Sequence, residues 1–451
     1  MFVINLKTKF TIIISKLVLK LSQKFLKGGT NFPGKVALKL DNSILKTITK
    51  NYDVIFITGT NGKTTTTSMV TNVLKNSGLN VITNVSGANM LTGITSCFID
   101  NYTFNDASKR YAVIEVDEAN LKFLTEYIEP EMIVITNLFR DQLDRYGEVY
   151  TTLEKILEGV KKVPISKLIL NGDESLLGDL KVSNQKLYYG FDASTGNSSI
   201  DINADAKFCQ NCKSPYNYSF VTYNHLGDFY CSNCGYKRPD LDYYVDELID
   251  INSESSKVSI CNNMVTINQP GLYNIYNALC AFAVASQLNI KADIIVDSLE
   301  NSKSSFGRQE KIMIDEKELK IVLVKNPAGY NEAVNTALLE KDPISCAFLL
   351  NDNYADGRDV SWIWDVQFEK MSSMNINRTI IGGIRMYDMA IRLKTAGFEE
   401  STFMLCDDYD KILENIQEVK ETKVYMFATY TAMTSFRKYL HSKGYIDKLW
   451  E

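Results

Sequence analysis

The sequence predicts an α/β protein: a central domain built on a parallel sheet and carrying a small cysteine-rich insertion, followed by a smaller Rossmann-like α/β domain. Three observations carry this. From residue 50, short β-branched runs alternate with longer helical ones. That alternation breaks near residue 195 into a polar, Cys- and Tyr-rich segment that runs to about 240. A second alternating series then begins near residue 312. Continuous apolar strands alternating with helices mean a mainly parallel sheet covered on both faces.

Bulk properties agree. The 451 residues suffice for two or three domains, and 45% hydrophobic with 23% charged residues is the composition of an ordinary soluble globular protein. The formal net charge of −5 argues against a bulk nucleic-acid binder. Four of the nine cysteines form two tight pairs, while Cys97, Cys261, Cys280, Cys346 and Cys406 are scattered in apolar runs. This is the pattern of a reducing compartment with one metal site, not of a disulfide scaffold.

The elements follow in order. "KFTIIISKLVLKLSQKFLKGG" is apolar but interrupted by Lys16, Lys20, Lys24 and Lys27, so it is too broken to span a bilayer. No small-residue cleavage site follows it, so no signal peptide is expected. Its spacing predicts an amphipathic helix, either packed on its own domain or touching an anionic membrane surface or a partner. "VIFIT" is a strand, and "KTTTTSMVTNVLKNSG" a helix with Met69, Val70, Val73 and Leu74 on one face and Gly78 as its stop. "VITN", "YAVIEVD", "MIVITN", "KLILNGD" and "KLYYG" are further strands, with helices in "LKFLTEYI", "VYTTLEKILEGVKK" and "NIYNALCAFAVASQL". In the second series "LKIVLV", "ISCAFLL", "RTIIGG", "STFMLC" and "KVYMFAT" read as strands. "NEAVNTALLEK", "MYDMAIRLKTAG", "YDKILENIQEV" and "MTSFRKYLHSKG" read as the intervening helices.

The junction "VIFITGTNGKTTT" carries chemistry. Gly59 and Gly62 allow a tight turn that brings backbone N–H groups close to a ligand. The following helix points its positive end at the same place. Lys63 adds a full charge for terminal phosphates, and the Thr64 hydroxyl suits Mg²⁺. The pattern is a shortened phosphate loop, since Ile57 stands where the general form has glycine. The loop residues Gly59, Thr60, Asn61, Gly62, Lys63, Thr64 and Thr65 are therefore the candidate ATP contacts. A second ligand for the metal is available in "VIEVDE", where Glu115 and Asp117 share a strand face and Glu118 follows.

"CQNC" (209–212) and "CSNC" (231–234) are two C-x-x-C knuckles. Cys209, Cys212, Cys231 and Cys234 can close a tetrahedral zinc shell, leaving no position for catalytic water, so the role is structural. A nucleic-acid-binding ribbon and a free redox pair are the alternatives. His225 lies between the knuckles and reads as a packed histidine. "NDNYADGRDVSWIWD" holds Asp352, Asp356, Asp359 and Asp365, and by spacing alone it reads as a turn and helix N-cap.

Together "GTNGKTTT", "VIEVDE", "TNLFRDQLDRYGE", "NGDES", "GLYNIYNALCAFAVA" and "GRQEK" resemble the Mur ligases, in the order seen there. "GANMLTGITS", the four-cysteine insertion, "KNPAGYNE" and the acidic loop resemble the MurT family within them. The resemblance implies a Mur-ligase ATPase domain with a zinc-ribbon insertion at about 200–240, placed as residues 46–305 after an N-terminal helical segment 1–45 and before a C-terminal domain 306–451. It implies that Glu115 ligates Mg²⁺, that Asn277 meets the adenine, and that Arg308 in the linker "NSKSSFGRQEK" (301–311) reaches the nucleotide. It also implies a partner glutaminase of the GatD kind, in which Asp359 completes a Cys–His–Asp triad. The chain itself holds two histidines, His225 and His441, neither in a recognisable motif with a cysteine nucleophile, so ammonia must come from elsewhere.

One departure stands out. Amino-acid-adding Mur ligases carry "DHLD"; here the motif is "DQLD", with Gln142 in place of the metal-binding histidine. A neutral amide is a poorer ligand than imidazole. Lys155 lies near the offset of the carbamylated lysine of those enzymes. The implied reaction is ATP-dependent amidation of the α-carboxylate of D-glutamate in the stem peptide of lipid II, through an acyl phosphate. Its lipid-bound substrate implies a cytoplasmic protein at most peripheral to the membrane. The alternatives are a stand-alone ligase of the folylpolyglutamate type and a nucleotide-switched zinc-ribbon binding protein.

Overall fold

The computed structural model describes residues 5–26, 31–84, 87–104, 108–140, 149–198, 205–302 and 308–446. Helices α1 (Leu6–Leu26), α2 (Asn31–Leu40) and α3 (Ile44–Ile48) precede β1 (Tyr52–Thr58) and α4 (Lys63–Asn76). Next come β2 (Val81–Thr83), α5 (Leu91–Asp100), β3 (Arg110–Glu115), the single turn α6 (Leu121–Leu124), β4 (Met132–Ile135) and α7 (Val149–Val160). Strands β5 (Lys167–Asn171) and β6 (Lys186–Phe191) follow, then the hairpin β7 (Asn217–Tyr223) and β8 (Leu226–Tyr230). The first unit closes with β9 (Tyr243–Ile251), β10 (Ser256–Ile260), β11 (Asn263–Ile267), α8 (Leu272–Gln287) and α9 (Ala292–Glu300).

The central sheet runs β11-β10-β9-β6-β5-β4-β1-β3-β2. It is parallel from β2 to β9 and antiparallel at β10 and β11. Alternation along each strand feeds two cores. Ile55, Ile57, Val113 and Val134 pack with α4 and α8 on one face. Val54, Phe56, Ile114 and Ile133 pack with α2, α3 and α5 on the other. Met69, Val70, Val73 and Leu74 of α4 are all buried, each adding about 1.5–3 kcal/mol over exposure. The strand order turns around β1: β2 and β3 lie to one side, β4 to β6 to the other. In open α/β sheets the crevice at the carboxyl end of such a strand is where ligands bind.

The second sheet comprises β12 (Arg308–Ile314), β13 (Lys317–Leu323), β14 (Ile344–Leu349), β15 (Ile376–Gly382), β16 (Phe403–Cys406) and β17 (Lys423–Ala428). Its order is β12-β13-β17-β14-β15-β16, parallel except for the antiparallel edge strand β12. Helices α10 (Pro327–Ala337), α11 (Met386–Thr395), α12 (Tyr409–Glu418) and α13 (Tyr430–Ser442) cover it. Strand β12 begins inside the stretch read as linker; its charged residues Arg308, Glu310 and Lys311 hide the strand pattern in the sequence.

An ion cluster fastens the two sheets. Glu254, between β9 and β10, accepts from Lys320 at 2.6 Å and Lys423 at 2.8 Å, and pairs with Lys311. Burial pushes its carboxyl up, but the three lysines outweigh this and hold it at about 2. A depressed carboxylate stabilises above its ordinary value and loses that contribution as pH falls toward its folded value. Glu254→Gln is therefore expected to lower the melting temperature at pH 7 by about 2 °C, a modest effect because the group is partly exposed. The gap from the parent should shrink as pH drops from 4.5 toward about 2.

Candidate active site

Four residues, 59–62, connect β1 to α4. Gly59 has φ +120° and Gly62 φ +84°, and space is closed as well. A Cβ at Gly59 would lie 2.4 Å from Thr136 Oγ1, and one at Gly62 2.3 Å from Asn277 Oδ1. Only glycine meets both demands. The "TN" that follows β4 supports the loop. Thr60 N donates to Asn137 O at 2.9 Å, and Asn61 N to Asn137 Oδ1 at 2.9 Å. Thr136 Oγ1 donates to Asn61 O at 2.7 Å.

Lys63 Nζ sits at the head of α4, 2.5 Å from Gly59 O and 2.7 Å from Glu118 Oε1. Burial pushes the Glu118 carboxyl up, and the Lys63 ammonium beside it pulls it back. Thr64 Oγ1 donates to Glu115 Oε2 at 2.8 Å, and Asn89 Nδ2 donates to Glu115 Oε1 at 3.1 Å. The β1–β3 register, Ile57 opposite Glu115, brings that carboxylate beside the loop. Asn84 holds the Glu115 backbone from both sides, at 2.9 and 3.0 Å. Asp117 instead accepts from Ala119 N and Asn120 Nδ2 and closes a turn. Of the two carboxylates sharing a strand face, Glu115 is thus the one against Thr64. A hydroxyl and a carboxylate oxygen side by side are the hard donors that fit Mg²⁺.

The second domain reaches into the loop. Lys325 Nζ donates to Thr60 O at 3.2 Å, and Asn326 Nδ2 to Asn61 Oδ1 at 3.0 Å. Asn326 also caps α10, accepting from Gly329 N at 2.8 Å. A cleft lined by Asn61, Thr65, Tyr223, Tyr273, Asn277 and Glu332 opens beside the loop. Asn277, on α8, accepts from Thr66 Oγ1 at 3.1 Å and donates to Asn274 Oδ1 at 3.1 Å. Arg308 opens β12, but its side chain is outside the described residues, as is Gln142 with all of 141–148. Lys155 lies half-buried on α7. Sequence reasoning assigned no role to Asn84, Asn89, Lys325 or Asn326, and offered Glu118 only as one of three carboxylates for the metal, whereas it pairs with Lys63. Their motifs were visible, but their partners lie far along the chain.

The four cysteines converge, their Sγ atoms all within 4.8 Å of one another. A tetrahedron with sulfur about 2.3 Å from zinc has edges of about 3.8 Å, so the donor set fits zinc. The two knuckles are built alike. Cys209 N donates to Ser214 O and Lys213 N to Cys209 O; Cys231 N donates to Tyr236 O and Gly235 N to Cys231 O. Lys213 (φ 64°) and Gly235 (φ 75°) make the same left-handed turn. Arg238, just past the second knuckle, joins the ribbon to the sheet through the buried Asp173 at 3.0 Å. The ribbon's own core is little more than Tyr216, Phe229 and two of the cysteines. Cys209→Ser is accordingly expected to lower zinc, read by elemental analysis, from one ion per chain to well below one, and to reduce the melting temperature.

His225 is fully buried. Its ring lies 2.8 Å from Glu174 Oε2 and 2.8 Å from Asn224 Oδ1. Burial lowers its pKa, but Glu174 outweighs burial, and the net direction is up. Both nitrogens are engaged, as the reading of a packed histidine expects. His441 lies on α13.

In the acidic loop after β14 the four aspartates separate by environment. Asp356 is buried, accepting from Thr431 N at 2.7 Å and from the Thr431 hydroxyl. Asp352 and Asp365 are half-buried beside Arg385 and Arg140. Asp359 alone of the four is exposed, with Oδ1 accepting from Ser361 N at 2.8 Å. "SWIWD" and "FEK" form two short 3₁₀ turns. Trp364 is 51% exposed with Arg392 stacked on its ring, whereas Trp362 packs on Tyr330.

Residues 57–285 match the family model described as Mur ligase middle domain, and residues 323–433 the one described as MurT ligase C-terminal. The chain is 41% identical over 421 residues to the MurT subunit of lipid II isoglutaminyl synthase (glutamine-hydrolyzing) from Streptococcus pneumoniae, covering 93% of this chain and 94% of that one. It is 35% identical over 405 residues to the same subunit from Staphylococcus aureus, covering 88% and 90%. Among solved structures, a pseudomurein peptide ligase type C from Methanothermus fervidus superposes with a TM-score of 0.66 at 22% identity, covering 91% of this chain and 84% of that one. Folylpolyglutamate synthase from Thermotoga maritima does so with 0.60 at 15% identity, covering 97% and 99%. At those identities the likeness is one of fold.

Proposed function

We infer the reaction from one premise: this chain belongs to the MurT family of Mur ligases. It is an ATP-dependent carbon–nitrogen ligase whose substrate is the stem peptide of lipid II and whose amide nitrogen comes from glutamine. An oxygen of the α-carboxylate of D-glutamate attacks the γ-phosphorus of ATP, and ADP leaves. Ammonia then attacks the acyl carbon, phosphate leaves, a proton is lost, and D-isoglutamine results.

The residues divide this work. Lys63 and the N–H groups of residues 62–65 at the head of α4 stabilise charge on the transferring phosphoryl group. Thr64 and Glu115 would hold Mg²⁺, which when bound neutralises phosphate charge. Asn277 is assigned to the adenine, and Arg308 to the nucleotide, which it reaches from the linker between the two domains. Lys325 and Asn326 tie the second domain to the loop, so that domain position and phosphate grip are coupled. Cys209, Cys212, Cys231 and Cys234 would hold a structural zinc. Asp359, exposed on its loop, is offered to a GatD-type glutaminase, where it orients the partner's histidine.

The observation that carries the two-subunit reading is the state of His225, the histidine that lies among the paired cysteines. His225 is buried with both ring nitrogens engaged, so it cannot serve as the base of a glutaminase within this chain. A stand-alone ligase would instead add an amino acid, and a switch protein would bind without turnover. Reconstitution separates them. With MgATP and lipid II, the chain alone should amidate with ammonium but not with glutamine, and an added glutaminase should restore glutamine use. Incorporation of an amino acid, or nucleotide-dependent nucleic-acid binding without product, would refute the reading.

A further inference from the structure

Helix α1 is inverted. The side turned to the protein carries Thr8, Thr11, Ser15 and Ser22 with Ile12 and Leu19, all buried. It is anchored there by Thr8 Oγ1 donating to Asp41 Oδ2 at 2.7 Å and Lys16 Nζ donating to Tyr102 O at 2.6 Å. The side turned outward carries Leu6, Phe10, Ile13, Leu17 and Leu21, exposed by between 48% and 84%. Their spacing of four, three, four and four residues makes one stripe along about 22 Å of helix. A helix facing water presents its polar side outward; this one presents small polar groups inward and large apolar groups outward.

Exposed lysines border the stripe, Lys7 on one edge and Lys9 and Lys20 on the other. Residues 6–40 hold eight lysines and no acidic residue, in a chain whose net charge is −5. No helix among the described residues is long and apolar enough to cross a membrane. We propose that α1 lies flat in the surface of an anionic bilayer, with the stripe among the acyl chains and the lysines on the headgroups. A second copy of the chain fits less well. A two-fold contact along the stripe would bring lysine edges together with no carboxylate on either helix to pair them. The proposal goes beyond the amidation chemistry and stands on α1 alone, so vesicle binding and activity are scored separately.

The test is flotation of the full chain with vesicles of equal parts phosphatidylglycerol and phosphatidylcholine, and with phosphatidylcholine alone. The parent should float with the anionic vesicles and about tenfold less with the neutral ones, and added salt should weaken binding. Phe10→Glu/Ile13→Glu/Leu17→Glu should cut anionic-vesicle binding at least about tenfold with the melting temperature unchanged, since all three side chains face outward. Lys9→Glu/Lys20→Glu should remove the preference for anionic vesicles. Three results would overturn the proposal: a parent that stays behind with anionic vesicles, a triple variant that floats like the parent, or a parent dimer that the triple variant dissolves in sedimentation while neither binds vesicles.

Discussion

Lys63→Ala is expected to lose amidation with glutamine and with free ammonium alike, by roughly 10²–10³-fold or more. Phosphoryl transfer precedes the amine step in both assays, so a residue that steadies the transferring group cannot be bypassed by changing the nitrogen source. Fold should survive the change. Lys63 leaves behind Glu118, whose carboxyl burial already pushes toward the neutral form. Without the ammonium at 2.7 Å the carboxyl is pushed further toward the neutral form, which a buried site accommodates. An unchanged melting temperature with both activities gone is the expected pair of readings. Retained ammonium activity would remove Lys63 from the phosphoryl step.

Asp359→Asn is expected to split the two assays. Glutamine-driven amidation in the complex should fall by about 10³–10⁴-fold, because an amide neither fixes the partner histidine's tautomer nor stabilises its charged form. Ammonium-driven amidation should stay at the parent level, since that path needs no glutaminase. The substitution is clean on this side of the interface: the Asp359 oxygen accepts from Ser361 N, and an asparagine oxygen can do the same. Asp356→Asn provides the contrast. It disturbs the bonds from Thr431 that shape the loop, and should lower stability as well as coupling. Equal loss of both assays in Asp359→Asn would assign the residue to the ligase half.

Much of this was legible in the sequence, for physical reasons. Strands β1, β3, β4 and β14 are buried on both faces, so they appear as unbroken apolar runs that only a covered sheet accommodates. Gly59, Gly62, Lys63 and Thr64 announce themselves because a phosphate loop needs its residue types consecutively. The cysteine spacing shows the metal cluster for the same reason. What stayed hidden depends on long-range geometry. Three carboxylates stand in "VIEVDE", but strand register decides which one meets Thr64. The Asn61–Asn326 contact joins residues 265 apart, with nothing local to signal it. Helix α1 was readable as amphipathic, yet its orientation was not, since periodicity gives an angle and not the side that meets the protein.

The central claim is that the loop at the head of α4 delivers a phosphoryl group to the substrate carboxylate before nitrogen arrives. It is tested most directly by carrying heavy oxygen in that carboxylate and analysing the phosphate released during amidation by the complex. An acyl phosphate requires one labelled oxygen to leave with each phosphate, and the account predicts that transfer. Phosphate released without label, while the amide still forms, would contradict it.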